Sequence, residues 1–226
     1  MTSSFRLEDR VVRLAAALLV VLIAGIAGQA PLAAGETAAP PATTQERLDS
    51  ALIEAIARDD PAEVETLLAA GADPLWRDSG GKTAVHRAAF ADNLKLLEVM
   101  LAHGADPDVH DLAGSTPMTD ALLAASYPLE KIEMLLAAGA DPDATNPNGG
   151  TPLHTAARTN NGRAILILLE AGASPHATTS TGGTFQRYYF GHPTAILTDG
   201  ALAARRQVAE WLQQHAIPLE PGVTVE

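Results

Sequence analysis

The sequence contains no cysteine, few aromatic residues and a minority of basic side chains. Without cysteine the chain forms no disulfide bond and offers no thiolate to a metal or to a covalent reaction. Its 15 lysine and arginine residues face 27 aspartate and glutamate residues, which gives a net charge of −12. Affinity for nucleic acid depends on basic side chains that neutralise phosphates, so a nucleic-acid partner is disfavoured. A basic protein surface is the better electrostatic match.

Short catalytic and metal-binding motifs are also missing. The sequence has no phosphate-binding glycine loop, no His-Glu-x-x-His pair and no nucleophile in a local motif. Its histidines lack the close spacing of metal ligands, and its Asp-x-Asp pairs lack the glycine and distal glutamate of a calcium loop. We therefore predict no enzyme activity, no metal and no cofactor. An enzyme that uses the neighbourhood of Tyr188 and His192 is the remote alternative.

The start of the chain differs in composition from the rest. Arg6, Arg10 and Arg13 precede an uncharged stretch at 14–35, and small residues follow its densest part. A basic start, an apolar middle and a small-residue exit are typical of an export signal, so we predict a signal peptide at 1–30.

The same stretch is long enough to be an uncleaved N-terminal anchor, because a membrane span needs about 20 residues. The segment 31–46, rich in Ala, Pro and Thr, is expected to be a disordered linker. Both alternatives place the remaining residues, 47–226, in the bacterial periplasm. They differ in whether the protein is released or held at the inner membrane by its N-terminal segment.

The rest of the chain repeats itself. The phrase Leu-Leu-Ala-Ala-Gly-Ala-Asp-Pro, or a close variant of it, occurs four times, with its glycine at 71, 104, 139 and 172. A second phrase runs in step with the first and begins at Thr83, Thr116 and Thr151. These glycines are 33, 35 and 33 residues apart. Repetition at this period indicates stacked supersecondary units and not a core closed by distant contacts.

Each repeat carries start and stop signals for two helices. Thr83 and Thr151 stand at N-cap positions, and Pro117 and Pro152 occupy first helical positions, where the missing N–H costs nothing. Apolar residues at spacings of three and four predict the second helix. The glycine that follows predicts a left-handed helix end, because glycine has no Cβ to strain there.

These phrases resemble the ankyrin repeat, and the segment 151–157, Thr-Pro-Leu-His-Thr-Ala-Ala, is similar to that family's opening motif almost letter for letter. The resemblance implies an all-α fold, an ankyrin-repeat solenoid of about five helix-turn-helix units joined by hairpin-like loops. The units are expected near 48–81, 82–114, 115–149, 150–192 and 193–226. The resemblance also implies that His86 and His154 hydrogen-bond neighbouring backbone.

The last unit departs from the pattern in a way that suits a C-terminal cap. His215 stands where the repeat glycine is expected. Arg205 and Arg206 are available for a solvated outer face, which a terminal repeat needs.

The period breaks in the fourth unit. Thr194 follows Gly172 by 22 residues, against 12 residues between the equivalent positions elsewhere. We therefore predict an extended loop at 177–190. Insertions in repeat proteins often form the binding face, and aromatic and arginine side chains anchor interfaces. The alternative is that the aromatic side chains fold back over the hydrophobic end of the fourth unit. The loop's candidate binding residues are Phe185, Arg187, Tyr188 and Tyr189.

Further candidates lie at positions that vary among ankyrin repeats. They are Trp76, Arg77, Phe90, His110 and Arg158. The resemblance implies a non-catalytic protein–protein interaction module, which we expect to bind a protein through its concave face and the aromatic loop at 177–190. A periplasmic inhibitor or immunity protein against a toxin or hydrolase is the alternative function.

Overall fold

The computed structural model describes residues 43–225, which form ten α-helices and no β-strand. The predicted signal peptide at 1–30 and most of the predicted linker lie outside the described residues. The first helix begins at Thr44, inside the segment predicted as linker. The helices are α1 (Thr44–Ala57), α2 (Pro61–Ala69), α3 (Ala84–Phe90), α4 (Leu94–Ala102), α5 (Pro117–Leu123), α6 (Pro128–Ala137), α7 (Pro152–Arg158), α8 (Gly162–Glu170), α9 (Phe185–Phe190) and α10 (Asp199–Gln214).

The helices follow one another in five pairs and stack in two layers. The first helices of the pairs, α1, α3, α5, α7 and α9, pack on one another in chain order, and the second helices do the same. One hydrophobic core runs through the layers. The expected all-α solenoid is confirmed.

Small residues and side-chain caps explain the short first helices and the start of the second ones. The alanine pairs 88–89 and 156–157 are fully buried, which lets neighbouring helices approach closely. At the start of α4 the Asn93 side chain accepts the backbone N–H of Lys95, at 2.9 Å. Asn161 does the same at α8 for the N–H of Ala164, at 3.1 Å. These caps satisfy N–H groups that have no partner within the helix.

A left-handed residue ends each second helix, as the repeat predicts. Gly139 has φ = +93°, and Gly71, Gly104 and Gly172 are equally left-handed. In the last pair the equivalent residue is Ala216, with φ = +55°. His215, expected at that position, instead is the C-cap of α10, with φ = −95°.

The prediction of an extended loop at 177–190 is wrong, because residues 185–190 form helix α9. Thr184 follows Gly172 by the usual 12 residues, and its hydroxyl oxygen accepts the N–H of Arg187 at 3.2 Å. A backbone bridge between Thr178 and Thr184 closes the same kind of hairpin that Arg77 and Thr83 close earlier. The fourth hairpin therefore has ordinary length, and the fifth helix pair starts at 185.

The extra residues lie between the helices of the fifth pair. The connection 191–198 contains a short 3₁₀ helix, Thr194–Ile196, and leads into a 16-residue α10. The second helices of the two preceding pairs have 9 or 10 residues. The insertion therefore lengthens the helix-to-helix connection and α10, and not a hairpin.

Arg205 lies in the core and not on a solvated outer face. Its side chain is fully buried, and Nη2 donates hydrogen bonds to the backbone carbonyls of Tyr189, at 2.7 Å, and His192, at 3.0 Å. Its guanidinium carbon stands 5.7 Å from the ring centroids of both Tyr189 and Phe190. Arg205 thus ties α10 to the end of α9, where the longer connection leaves carbonyl groups to be satisfied.

Aspartates at equivalent positions hold successive turns together. The Asp108 carboxylate accepts the backbone N–H of Asp141 at 3.0 Å, and Asp143 accepts the N–H of Ser174 at 2.9 Å. Within its own turn Asp106 accepts the N–H of Asp108 at 2.9 Å. The repeated Asp-x-Asp pairs are therefore structural.

Across residues 43–225, no helix combines the length and the apolar character that a membrane crossing requires.

Replacement of a helix-end glycine should destabilise the fold through backbone strain. A Cβ atom at 139 would meet no atom within 4 Å, so Gly139→Val tests mainly the left-handed conformation. We expect a loss of about 1–3 kcal/mol in the free energy of unfolding, measured by chemical denaturation. Gly139→Asn should cost less, because asparagine tolerates this region. Ala216→Gly should raise stability. Equal stability of the valine and asparagine variants would contradict the strain argument.

Candidate functional site

The hairpins that join the pairs form a hydrogen-bonded ladder. The Arg77 guanidinium donates from Nη1 to the carbonyl of Gly81, at 3.1 Å, and from Nη2 to the carbonyl of His110 in the next hairpin, at 2.6 Å. His110 in turn bonds through Nε2 to the carbonyl of Thr145, at 3.3 Å. Arg77 and His110, two of the predicted binding residues, therefore hold the hairpins in register. Trp76 is half-buried beside them.

An ion cluster reinforces the first and second hairpins. The Lys82 ammonium lies 3.1 Å from the carboxylate of Asp111 and 2.6 Å from that of Asp120 in α5. Burial raises the pKa of the Asp120 carboxyl, against the opposing effect of Lys82. Burial lowers the pKa of Lys82, but its hydrogen bonds to Asp120 and Asp111 outweigh that effect and the net shift is upward. The ion pair joins groups of successive repeats and offsets the cost of their burial, so the cluster is structural.

The two repeat-opening histidines bond the backbone of the following hairpin, as expected. His86 Nε2 donates to the carbonyl of Ser115 at 2.9 Å, and His154 Nε2 donates to that of Gly183 at 3.1 Å. The other ring nitrogen of His86 accepts from the hydroxyl of Thr83, at 2.7 Å. At His154 the backbone N–H of Thr151 donates to Nδ1 at 3.2 Å, which requires the neutral imidazole, and burial lowers the pKa of both histidines.

The other end of the first helices carries exposed apolar side chains. Phe90 ends α3 and Leu123 ends α5, and they are 53% and 51% exposed. Arg158 ends α7 at the equivalent position and is also exposed. Tyr127, just before α6, is 53% exposed and has φ = +52°, a conformation that is rare and strained for a bulky residue.

Arg158 and Tyr188 are brought together across α7 and α9. The Arg158 guanidinium carbon lies 5.3 Å from the centroid of the Tyr188 ring, which is half-buried. A hydrogen bond to Thr179, with an oxygen–oxygen distance of 3.5 Å, lowers the pKa of the Tyr188 hydroxyl. We call the four residues Phe90, Leu123, Tyr127 and Arg158 the tip surface, whereas the Tyr188 hydroxyl lies at the fourth hairpin.

The remaining predicted loop residues divide between core and solvent. Phe185 and Tyr189 are fully buried in the core, so for them the packing alternative holds and they offer nothing to a partner. Arg187 is exposed on α9. His192 bonds through Nε2 to the carbonyl of Ala157 at 3.3 Å and serves the packing of the fifth pair.

A groove opens beside the tip surface, between α1 and α3. Its main cavity measures about 600 Å³, and a smaller one of about 380 Å³ adjoins it, with Asp59 and Asp92 in the walls of both. The other lining residues of the larger cavity are Ile53, Ile56, Ala57, Asp78, Ser79, Arg87, Phe90 and Ala91. Tyr127 and Leu94 line the smaller cavity with Asn93.

Four residues of this region were not among the candidates predicted from the sequence, namely Leu123, Tyr127, Asp59 and Asp92. Leu123 had a usable signal, because it stands 33 residues after Phe90 and 35 before Arg158, both of which were predicted. The strained Tyr127 had none, since its two-residue insertion is unique to the third pair. Among residues 43–225 no cluster of histidine, aspartate and glutamate side chains could hold a metal.

Stacked helix pairs, structural hairpins and an exposed apolar surface together define a repeat-type binding module. Two family models match the chain: "Ankyrin repeats (3 copies)" over residues 52–146 and "Ankyrin repeats (many copies)" over residues 135–184. The chain belongs to the ankyrin-repeat family. A comparison with curated proteins finds no match. Ankyrin repeats indicate a protein–protein interaction module, and proteins of this family are generally non-catalytic.

The free energy of unfolding should fall between pH 7 and pH 5. Burial lowers the folded-state pKa of His86 and His154 below the ordinary value of 6.5, so the unfolded chain takes up these protons first. Stability that is present above pH 6.5 is therefore lost as the pH falls through that value. His154→Gln cannot titrate and should show a smaller loss in denaturation curves at the two pH values. An unchanged pH dependence in this variant would contradict the assignment.

Proposed function

We propose that this protein is exported to the bacterial periplasm, where it binds a partner protein through the tip surface. The observation that carries the proposal is the exposure of three large apolar side chains, Phe90, Leu123 and Tyr127, on one end of the first-helix layer. Exposed apolar and aromatic side chains that lie together mark interaction sites, and aromatic and arginine residues anchor them.

The hairpin side is a weaker candidate for the same function. Arg77 and His110 donate to backbone carbonyls of other residues and are held in the ladder. Side chains that already form hydrogen bonds within the fold have less freedom to form new ones with a partner. The tip surface has no such structural duty at Phe90 and Leu123, whose rings and methyl groups face solvent.

An inhibitor or immunity protein remains the more specific alternative. An extended loop that enters an active site would support this alternative, and so would an acidic surface. The loop is replaced by helix α9, so its support is removed. The net charge of −12 remains and suits a basic toxin or hydrolase.

Export is supported by the sequence alone. The three arginines before residue 14 and the uncharged stretch 14–35 have the order of an export signal. An uncleaved segment would hold the repeat domain at the inner membrane with the same face available to periplasmic proteins. Both forms agree with the proposal.

Acidic substitutions on the tip surface should abolish partner binding without unfolding the domain. We expect Phe90→Asp with Leu123→Asp to lose proteins that the wild-type chain captures from periplasmic extract, because a charge cannot be buried in an apolar contact. Leu75→Asp is the matched control, since Leu75 is 45% exposed in a hairpin loop. Thermal melting of all variants establishes that they fold. If only the control loses the captured proteins, the hairpins bind and the tip surface does not.

A fusion protein tests the proposed export. A reporter enzyme that is active only outside the cytoplasm, joined after residue 226, should be active, and deletion of 2–30 should silence it. Cell fractionation then separates release from anchoring. Silence of the reporter with the intact leader would overturn the proposed localisation.

A further inference from the structure

We propose that the groove between α1 and α3 binds an extended segment of the partner protein. This segment contributes a lysine or arginine side chain and an adjacent aliphatic side chain. This inference rests on the proposed function and names the chemistry of the partner. We call the site the acid groove and define it by Ile53, Ile56, Asp59, Phe90, Asp92 and Tyr127.

Part of the lining of the acid groove is apolar. Ile53 and Ile56 of α1 form one side, and the half-exposed ring of Phe90 at the end of α3 forms the other. The cavity of about 600 Å³ lies within the roughly 300–1,000 Å³ that ligand pockets commonly span. It can hold two neighbouring side chains of an extended segment, of which one contacts the isoleucines.

Two carboxylates at the rim have no partner within the described part of the chain. Asp59 and Asp92 line both cavities and are exposed, and their carboxylates form no hydrogen bond or salt bridge within residues 43–225. Asp78, the third carboxylate in the walls, is ion-paired with Arg87 and hydrogen-bonded to its Nε at 2.6 Å. Asp59 and Asp92 therefore remain available for a cation.

The nearby basic groups do not neutralise the rim. Arg58, next to Asp59 in the chain, is paired with Glu54 of α1 and with Glu63 of α2. Lys131 is fully buried and donates to the carbonyl of Ala91, and burial lowers its pKa. Its charge attracts Asp92, but Lys131 leaves Asp59 without a cation.

Exposed aromatic rings beside carboxylates favour a cation over other ligands. The face of a phenyl or phenol ring attracts ammonium and guanidinium groups, and the effect adds to charge-assisted hydrogen bonds with carboxylates. Phe90 and Tyr127 supply such rings next to Asp59 and Asp92. An acidic or uncharged segment would leave both carboxylates unpaired in a partly desolvated groove.

The chain's own segment 31–42 is the poorer occupant. Its only charged residue is Glu36, which the rim carboxylates would repel. The segment therefore cannot supply the cation, and the partner must.

Selection from a random dodecapeptide library on the immobilised full-length protein tests the proposal. We expect enriched peptides to contain lysine or arginine next to leucine, isoleucine or valine. Affinity of a synthetic selected peptide, measured by fluorescence anisotropy, should fall about threefold with Asp59→Asn and with Asp92→Asn, and about tenfold with Phe90→Ala. Asparagine keeps the left-handed backbone of Asp59, whose φ is +60°. Added salt should weaken binding to the wild-type protein.

Glu133→Gln, which neutralises an exposed carboxylate on α6, is the matched control and should leave the affinity unchanged. Enrichment of acidic or uncharged peptides, or of none, would overturn the acid groove. Basic peptides that bind equally to the wild-type protein and the Asp59→Asn and Asp92→Asn variants would also overturn it. If those peptides are lost with Leu123→Asp, the proposed function stands without the groove. A gain in affinity when 31–42 is replaced by glycine and serine would show that the chain's own segment occupies the site.

Discussion

The structure depends on side chains of one helix pair that bond the backbone of the next. A helix pair cannot bury its apolar face alone, so stacking drives the fold, but apolar contact does not fix register. Register comes from directional bonds such as those of Asp108 to the N–H of Asp141 and His86 to the carbonyl of Ser115. These side chains are partly or fully buried, and the loss of one leaves a backbone group unsatisfied. The repeated polar residues are therefore as structural as the leucines.

Within residues 43–225 no helix pair follows the fifth one, so its backbone carbonyls are bonded from within the pair. Arg205 takes over part of that duty, with its guanidinium bonded to the carbonyls of Tyr189 and His192. Burial disfavours its charge and lowers its pKa. The aromatic rings of Tyr189 and Phe190 surround the guanidinium in place of a carboxylate. In a chain with few aromatic residues, this cluster thus covers the end of the hydrophobic core at the fifth pair.

The sequence predicted the helix pairs wherever the repeat phrases were intact, because glycine at the helix end and threonine at the N-cap have local physical causes. It misplaced α9, since Phe185-Gln186-Arg187 replaces the Pro-Leu-His that marks a first helix. Only the distance of 12 residues from Gly172 to Thr184 preserved the register. Burial determined which predicted binding residues can contact a partner, since Phe185 and Tyr189 are buried and Phe90 is exposed. Which of several exposed-looking aromatic residues pack inside depends on contacts between pairs, and no local pattern encodes those contacts.

The two ends of the first helices have separate duties, and this division gives the protein a place to bind. Hairpin residues are committed to the ladder, so substitutions there would alter both register and any contact with a partner. The tip positions are the last residues of the first helices, where the chain reverses and the side chains stay exposed. Phe90, Leu123 and Arg158 can therefore differ in chemistry while the core beneath them stays the same. A stack of identical scaffolds thereby presents a non-identical surface, which is what selective recognition of one partner requires.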